Sequence, residues 1–168
     1  LYDAGSLYVA FRAKDIDLRA VQKSADAPIY DTDDVVEVFI DANGDGQVYY
    51  EMQVSAAGIP FDASFRGRRR HMNKAWSSGM RFGVTRQGTL NQPDDSDRGF
   101  VVELAIPMSA IRDAPHLPPR PGDRWKAFFY RINRHSNRKS RGADYHGVVP
   151  VYKGDFHFLP LMCDLVFE

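Results

Sequence analysis

The sequence predicts an all-β fold: a single antiparallel β-sandwich of the jelly-roll kind, with little helix. Three observations carry this. Eight runs have strand composition and the side chains of several alternate in character with period two. Clusters of Gly, Pro, Asn and Asp separate them, at Asn43-Gly44-Asp45-Gly46, Ala57-Gly58, Gln92-Pro93-Asp94-Asp95 and Arg120-Pro121-Gly122-Asp123. No segment sustains a 3.6-residue apolar period, and only Lys14 to Lys23 and a turn at Pro107 to Ile111 are expected to be helical.

In order, the first run is Ser6 to Ala13, with Leu7, Val9 and Phe11 on one parity. Asp34 to Asp41 places Val36, Val38 and Ile40 on one face and Glu37 and Phe39 on the other. Gln47 to Val54 sets Val48, Tyr50, Met52 and Val54 against Tyr49, Glu51 and Gln53. Pro60 to Phe65, Trp76 to Thr85, Gly99 to Ile106, Arg124 to Asn133 and Phe158 to Phe167 complete the set. Trp76 and Trp125 each open a strand pattern and are expected in the core. Tyr30 and Tyr145 sit in polar stretches and are expected at the surface. No repeat or low-complexity linker divides residues 1–168, so one domain is expected.

Composition excludes several classes. The chain has 168 residues with 22 Lys+Arg against 22 Asp+Glu, a balance that argues against a nucleic-acid binder. Phe 11, Tyr 8 and Trp 2 supply the apolar area that a disordered chain lacks. No apolar run reaches the roughly 20 residues of a membrane-spanning helix. The single Cys163 excludes an internal disulfide and a multi-cysteine zinc site. The start at Leu1, without Met or a signal-like segment, is expected to reflect processing or trimming, with any targeting segment removed.

The charge is unevenly placed. From Ser24 to Phe65 there is no Lys or Arg, while Asp26, Asp31, Asp33, Asp34, Glu37, Asp41, Asp45, Glu51 and Asp62 are all acidic. Basic runs follow at Arg66, Arg68, Arg69, Arg70, Lys74, Arg81 and Arg86, and at Arg131, Arg134, Arg138, Lys139 and Arg141. Either the basic loops fold back onto the acids, or a hard cation binds among them. Asp41, Asn43 and Asp45 present oxygens at alternate positions before Gly46, as a Ca²⁺ loop begins. The twelfth position is Met52, so the loop is no EF-hand, and the same residue types also build a metal-free turn.

Enzyme signatures are missing. His71, His116, His135, His146 and His157 form no close ligand pair, and no nucleophile elbow, phosphate loop or dinucleotide fingerprint occurs. No carboxylate pair stands out for glycoside hydrolysis, and no C-x-x-C-H motif for covalent haem is present. Aromatic side chains beside loops, among them Tyr30, Tyr145 and Tyr152, are instead suited to stack on sugar rings while polar groups bind hydroxyls.

The order of segments resembles carbohydrate-binding module family 9. The resemblance rests on Leu1-Tyr2-Asp3 with Leu7 to Phe11, Asp33 to Asp41, Tyr49-Tyr50 with Gly58, and Gly99 to Pro107. It continues in Gly122-Asp123 with Arg131 to Arg134, and in Phe156 to Pro160 with Leu165 to Phe167. It covers nearly the whole chain, with the family's first strand or two expected before Leu1. It implies a secreted, periplasmic or outer-surface bacterial module that binds xylan- or cellulose-type glycan ends without catalysis. An attached glycoside hydrolase or other polysaccharide-degrading partner, and structural Ca²⁺, are also implied.

By motif alignment one aromatic platform falls at Asp31 beside Tyr30, and the other at His157. Polar sugar contacts fall at Glu37, Gln53, Arg131 and Asn133, which are expected to share one face. Tyr145 is a further candidate contact. Neither platform is Trp, and the His157 ring is also suited to cap a strand end by hydrogen bonding. Two other functions fit the same sandwich: a haem b-binding electron-transfer subunit, needing two axial ligands on one pocket, and a structural periplasmic domain of a larger outer-membrane protein.

Overall fold

In a computed structural model that describes residues 1–135 and 142–168, the chain forms two antiparallel sheets packed face to face. The strands are β1 (Ser6–Ala13), β2 (Val35–Asp41), β3 (Val48–Ser55), β4 (Pro60–Arg66), β5 (Arg81–Gln87), β6 (Gly99–Pro107), β7 (Arg124–Arg134), β8 (Ala143–Gly147) and β9 (Cys163–Val166). One sheet has the order β1-β6-β5; the other runs β4-β3-β2-β7-β8, with β9 also paired to β7. This is the predicted β-sandwich. No helix is long and apolar enough to cross a membrane among the described residues.

Strand alternation sorts the side chains of β2 onto two different cores. Val36, Val38 and Ile40 meet Met52 and Val54 of β3 and, from the smaller sheet, Phe100, Val102, Leu104 and Ile106 of β6. Each such side chain stabilises the fold by roughly 1.5–3 kcal/mol when removed from water. Trp125 is fully buried in this layer, edge-on to Phe167 at 4.7 Å. The odd positions of β2 face a second apolar cluster outside the larger sheet, where Phe39, Tyr49, Phe61, Phe128 and Tyr130 lie under Ile29, Phe156, Leu159 and Met162. A short helix, α1 (Ile29–Thr32), and the segment from Pro150 to Met162 therefore form a partial third layer. With both faces covered, every residue of β2 is buried.

Three local expectations are corrected. Lys14 to Lys23 is not helical, because its backbone amides bond to distant side chains instead of to each other. Leu18 N–H donates to Asp97 (2.6 Å), Arg19 N–H to Asp34 (2.6 Å) and Val21 N–H to Asp33 (2.9 Å), while Asn91 exchanges two bonds with Ala20. Trp76 lies outside a strand, half-buried against Tyr50 at 4.8 Å. The last run begins with a 3₁₀ turn at Leu159–Leu161, leaving only Cys163–Val166 as strand.

Backbone amides also answer how the acidic stretch is tolerated. Asp33, Asp34, Asp41, Asp45 and Asp62 all accept backbone N–H bonds, which stabilise a carboxylate without a cation. Of the basic loop, Arg68 and Arg69 pair with Asp155 rather than with those acids. Arg138, Lys139 and Arg141 lie outside the described residues.

Candidate ligand-binding site

A cavity of about 280 Å³ opens on the outer face of the larger sheet, between α1 and the segment that follows β8. Its floor comes from odd positions of two adjacent strands. Glu37 on β2 sits directly opposite Gln53 on β3, and a residue pair in this relation projects to the same face. Glu51, two residues before Gln53, joins them by the same alternation. Tyr30, Asp31, Arg69, Met72, Ile132, Arg134, Tyr145, Phe156 and His157 complete the wall.

The floor is polar and buried. Glu37 and Gln53 are each 1% exposed and Glu51 4%. Gln53 donates its side-chain amide to Glu51 Oε1. Glu37 Oε1 and Gln53 Oε1 have no hydrogen-bond partner among the described residues. Leaving such atoms unpaired costs about 1–3 kcal/mol each, a cost that a ligand donor would remove. Burial, and next the neighbouring Glu51, hold the Glu37 carboxyl well above the ordinary carboxylate range. Burial likewise pushes Glu51 up to about 7, opposed by the Gln53 amide and by the positive charge of Arg69 and Lys74.

His157 is a buried strut rather than a stacking platform, which corrects the role aligned to it. The residue is 9% exposed, and its ring stands edge-to-face with Phe39 (5.1 Å), Tyr49 (5.8 Å) and Phe65 (5.2 Å), so little of it is open to a sugar. The Tyr49 hydroxyl accepts the Arg69 backbone N–H (3.1 Å) and shares a hydrogen bond with His157 Nδ1 (2.7 Å). The other ring nitrogen, Nε2, lies 3.9 Å from Glu51 Oε2. Burial, and then the positive charge of Arg69 and Arg68, lower the His157 pKa to about 3, so the ring stays neutral. Its main chain is fixed too, since His157 N–H donates to Asp155, the partner of Arg68 and Arg69.

The open aromatic surfaces are elsewhere. Tyr145 on β8 is 44% exposed and packs edge-on to Phe156 (5.5 Å), which stacks on Tyr130 at 3.9 Å. Tyr30, half-buried in α1, stands edge-on to Phe61 at 5.3 Å, and Asp31 beside it is exposed at the rim.

Arg131 and Asn133 do not share the face of Glu37 and Gln53. Arg131 pairs with Val36 across the strands, so it projects toward the smaller sheet, and Asn133 follows it by alternation. Arg131 bonds there to Asp15 (2.5 Å) and to the Lys14 carbonyl (2.7 Å). The arginine of β7 that does reach the cavity is Arg134, whose Nη2 donates to the Tyr30 carbonyl. Glu51, Arg69, Arg134 and Phe156 were not among the sequence candidates. Only Glu51 carried a signal, its shared parity with Gln53.

At the Asp41, Asn43 and Asp45 loop the side-chain oxygens turn onto the loop itself. Asp41 accepts the Gly44 and Gly46 amides (2.8 and 2.9 Å), and Asn43 accepts the Asp45 amide (3.0 Å). Asp45 accepts the Gln47 and Val48 amides and the Asn43 side chain. Gly44 and Gly46 both have φ near +70°, at 69° and 67°, where glycine is favoured. Each of these oxygens thus has an N–H partner within the loop, the bonding that an Asn-, Asp- and Gly-rich turn makes. No cluster of three or more His, Cys, Asp or Glu suited to a metal occurs among the described residues.

Comparison with known proteins adds a family and two structures. The profile of the family described as carbohydrate family 9 binding domain-like matches residues 1–141. The fold is similar to that of a candidate carbohydrate-binding protein from Bacteroides uniformis, at 18% identity and a TM-score of 0.74, over 98% of this chain and 74% of that one. It is also similar to a carbohydrate-binding module of family 9 from Caldicellulosiruptor kristjanssonii in complex with glucose. That match has 18% identity and a TM-score of 0.54, over 88% of this chain and 63% of the other. No curated protein matches the sequence.

Proposed function

The chain belongs to the carbohydrate family 9 binding domain-like family, and from that premise we propose that it is a non-catalytic module that holds the end of a glycan in the Glu37–Gln53 cavity. One observation carries the reading: two buried, unpartnered oxygens, Glu37 Oε1 and Gln53 Oε1, belong to residues that pair across β2 and β3 at the floor of an aromatic-walled cavity. Adjacent sugar hydroxyls supply the donors these oxygens need, and Arg134 and Arg69 offer donors in return. Tyr145, backed by the buried Phe156, and Tyr30 present ring surface for the apolar C–H face of a pyranose. At about 280 Å³ the cavity lies just below the roughly 300–1,000 Å³ of ligand pockets, which suits a terminal ring rather than a chain threading through.

The finer reading is a xylan- or cellulose-type oligosaccharide. In it the module is secreted, periplasmic or on the outer surface, and attached to a polysaccharide-degrading partner. The glucose bound by the family 9 module from Caldicellulosiruptor kristjanssonii supports the sugar class. The haem b alternative requires two axial ligands on one pocket, and His157 Nδ1 is engaged with the Tyr49 hydroxyl. Affinity electrophoresis in xylan, cellulose derivatives and an unrelated glucan tests the proposal. Retardation by one of the first two, without release of reducing ends, is expected. Free migration in all three, or a Soret band in the purified protein, overturns it.

A further inference from the structure

A second concavity, also about 280 Å³, opens on the smaller sheet, lined by Arg12, Lys14, Thr85, Gln87 and Arg98 with the backbone from Gly99 to Val101. It belongs to a different sheet from the Glu37–Gln53 cavity, which is built on β2, β3 and β7. Its charge is one-sided: three cations and no carboxylate line it. None of the three takes part in an ion pair among the described residues. The acids adjacent to them in sequence are engaged elsewhere. Asp15 bonds to Arg131, and both oxygens of Asp97 accept backbone amides, from Leu18 and Thr89.

The backbone forces these cations together. Ala13 pairs with Phe100 at the end of the β1–β6 ladder, and Gly99 adopts φ +123° there. A Cβ on Gly99 would lie 2.0 Å from the Ala13 carbonyl oxygen, so only glycine lets the start of β6 close against the end of β1. Arg98 N–H donates to the Gln87 carbonyl (2.8 Å), which ties the same corner to β5. Three strand ends converge, and with them Arg12, Lys14 and Arg98.

Like charges gathered this way repel one another unless an anion joins them. We propose that this cleft binds a divalent oxyanion, a phosphate or sulfate group. Two guanidiniums offer forked N–H donors matched to oxyanion geometry, and Lys14 adds a point charge. The Thr85 hydroxyl and Gln87 amide supply neutral donors beside them. The assignment is independent of the glycan site, since the two share no residue.

The test is an NMR titration of the intact protein with sodium phosphate, sodium sulfate and sodium acetate at ionic strength fixed with chloride. Phosphate or sulfate is expected to shift the Lys14, Thr85, Arg98 and Gly99 amides saturably at millimolar concentration, with acetate at least tenfold weaker. The tighter of the two dianions names the source of the group. Arg12→Ala with Arg98→Ala should weaken binding at least tenfold, and Lys14→Gln, outside any strand, at least threefold. Linear shifts that acetate reproduces, or unchanged dianion affinity in folded variants, would overturn the site.

Discussion

Replacing Glu51 with Gln should stabilise the protein at neutral to alkaline pH and do little at acidic pH. The carboxyl is 4% exposed, and its pKa rises from 4.5 to about 7 on folding because burial disfavours the charged form. The folded state therefore binds a proton more tightly than the unfolded chain. Stability from this linkage is fully present below pH 4.5 and is lost as pH rises to about 7, a loss of about 3 kcal/mol. Glutamine does not titrate, and its carbonyl still accepts the Gln53 amide, so Glu51→Gln escapes most of that loss. Glu37 adds to the gain, because a neutral neighbour no longer raises its pKa. His157 works in the opposite sense: its folded pKa is depressed, so its contribution is lost as pH falls from 6.5 toward 3. That term is common to both proteins and cancels in their difference. Urea unfolding at pH 4.5 and pH 8 measures it. Glu51→Gln is expected to exceed the parent by about 2–3 kcal/mol at pH 8 and to match it within about 0.5 kcal/mol at pH 4.5. A difference that does not change with pH would refute the buried-carboxyl reasoning.

Four other outcomes follow from the placement of side chains. Tyr145→Ala should weaken glycan binding by about 0.5–1.5 kcal/mol with an unchanged melting temperature, because the ring is exposed. His157→Ala should instead destabilise the fold by about 2–4 kcal/mol in urea, since it leaves a cavity among Phe39, Tyr49 and Phe65. Arg131→Ala should cost about 1–3 kcal/mol of stability by stranding buried Asp15, while calorimetry shows glycan affinity unchanged. Excess chelator should leave the melting curve unaltered, because the Asp41, Asn43 and Asp45 oxygens bond to their own loop; a fall of several degrees would restore the Ca²⁺ reading.

The strands that could be read from the sequence are those whose two faces differ in character. β1, β2, β3, β6 and β7 alternate clearly, and their bounds agree within a residue or so. β8 escaped notice because Ala143-Asp144-Tyr145-His146-Gly147 is mostly exposed and has no apolar stripe to reveal it. The segment from Lys14 to Lys23 misled because its conformation is imposed by Asp33, Asp34, Asn91 and Asp97, all remote in sequence. The site divides in the same way. Glu37 and Gln53 lie on strands whose parity is visible, and the structure sets them side by side. Arg131 was set with them because the register of β7 against β2 is a property of pairing, not of either strand alone. A shift of one residue moves a side chain to the opposite face, so Arg134, three residues on, occupies the face expected of Arg131. Likewise, the sequence shows that His157 has a ring but not that three other rings enclose it.

Isothermal titration calorimetry of the parent and Glu37→Ala with a xylo- or cello-oligosaccharide that retards the protein tests the central claim most directly. The parent should bind with an affinity between high micromolar and millimolar, roughly −4 to −6 kcal/mol. Glu37→Ala removes an unpartnered buried oxygen, so it should lose detectable heat of binding while keeping its melting temperature within a few degrees. Undiminished binding in a folded Glu37→Ala would contradict the account, because the ligand would then sit somewhere other than the floor of this cavity.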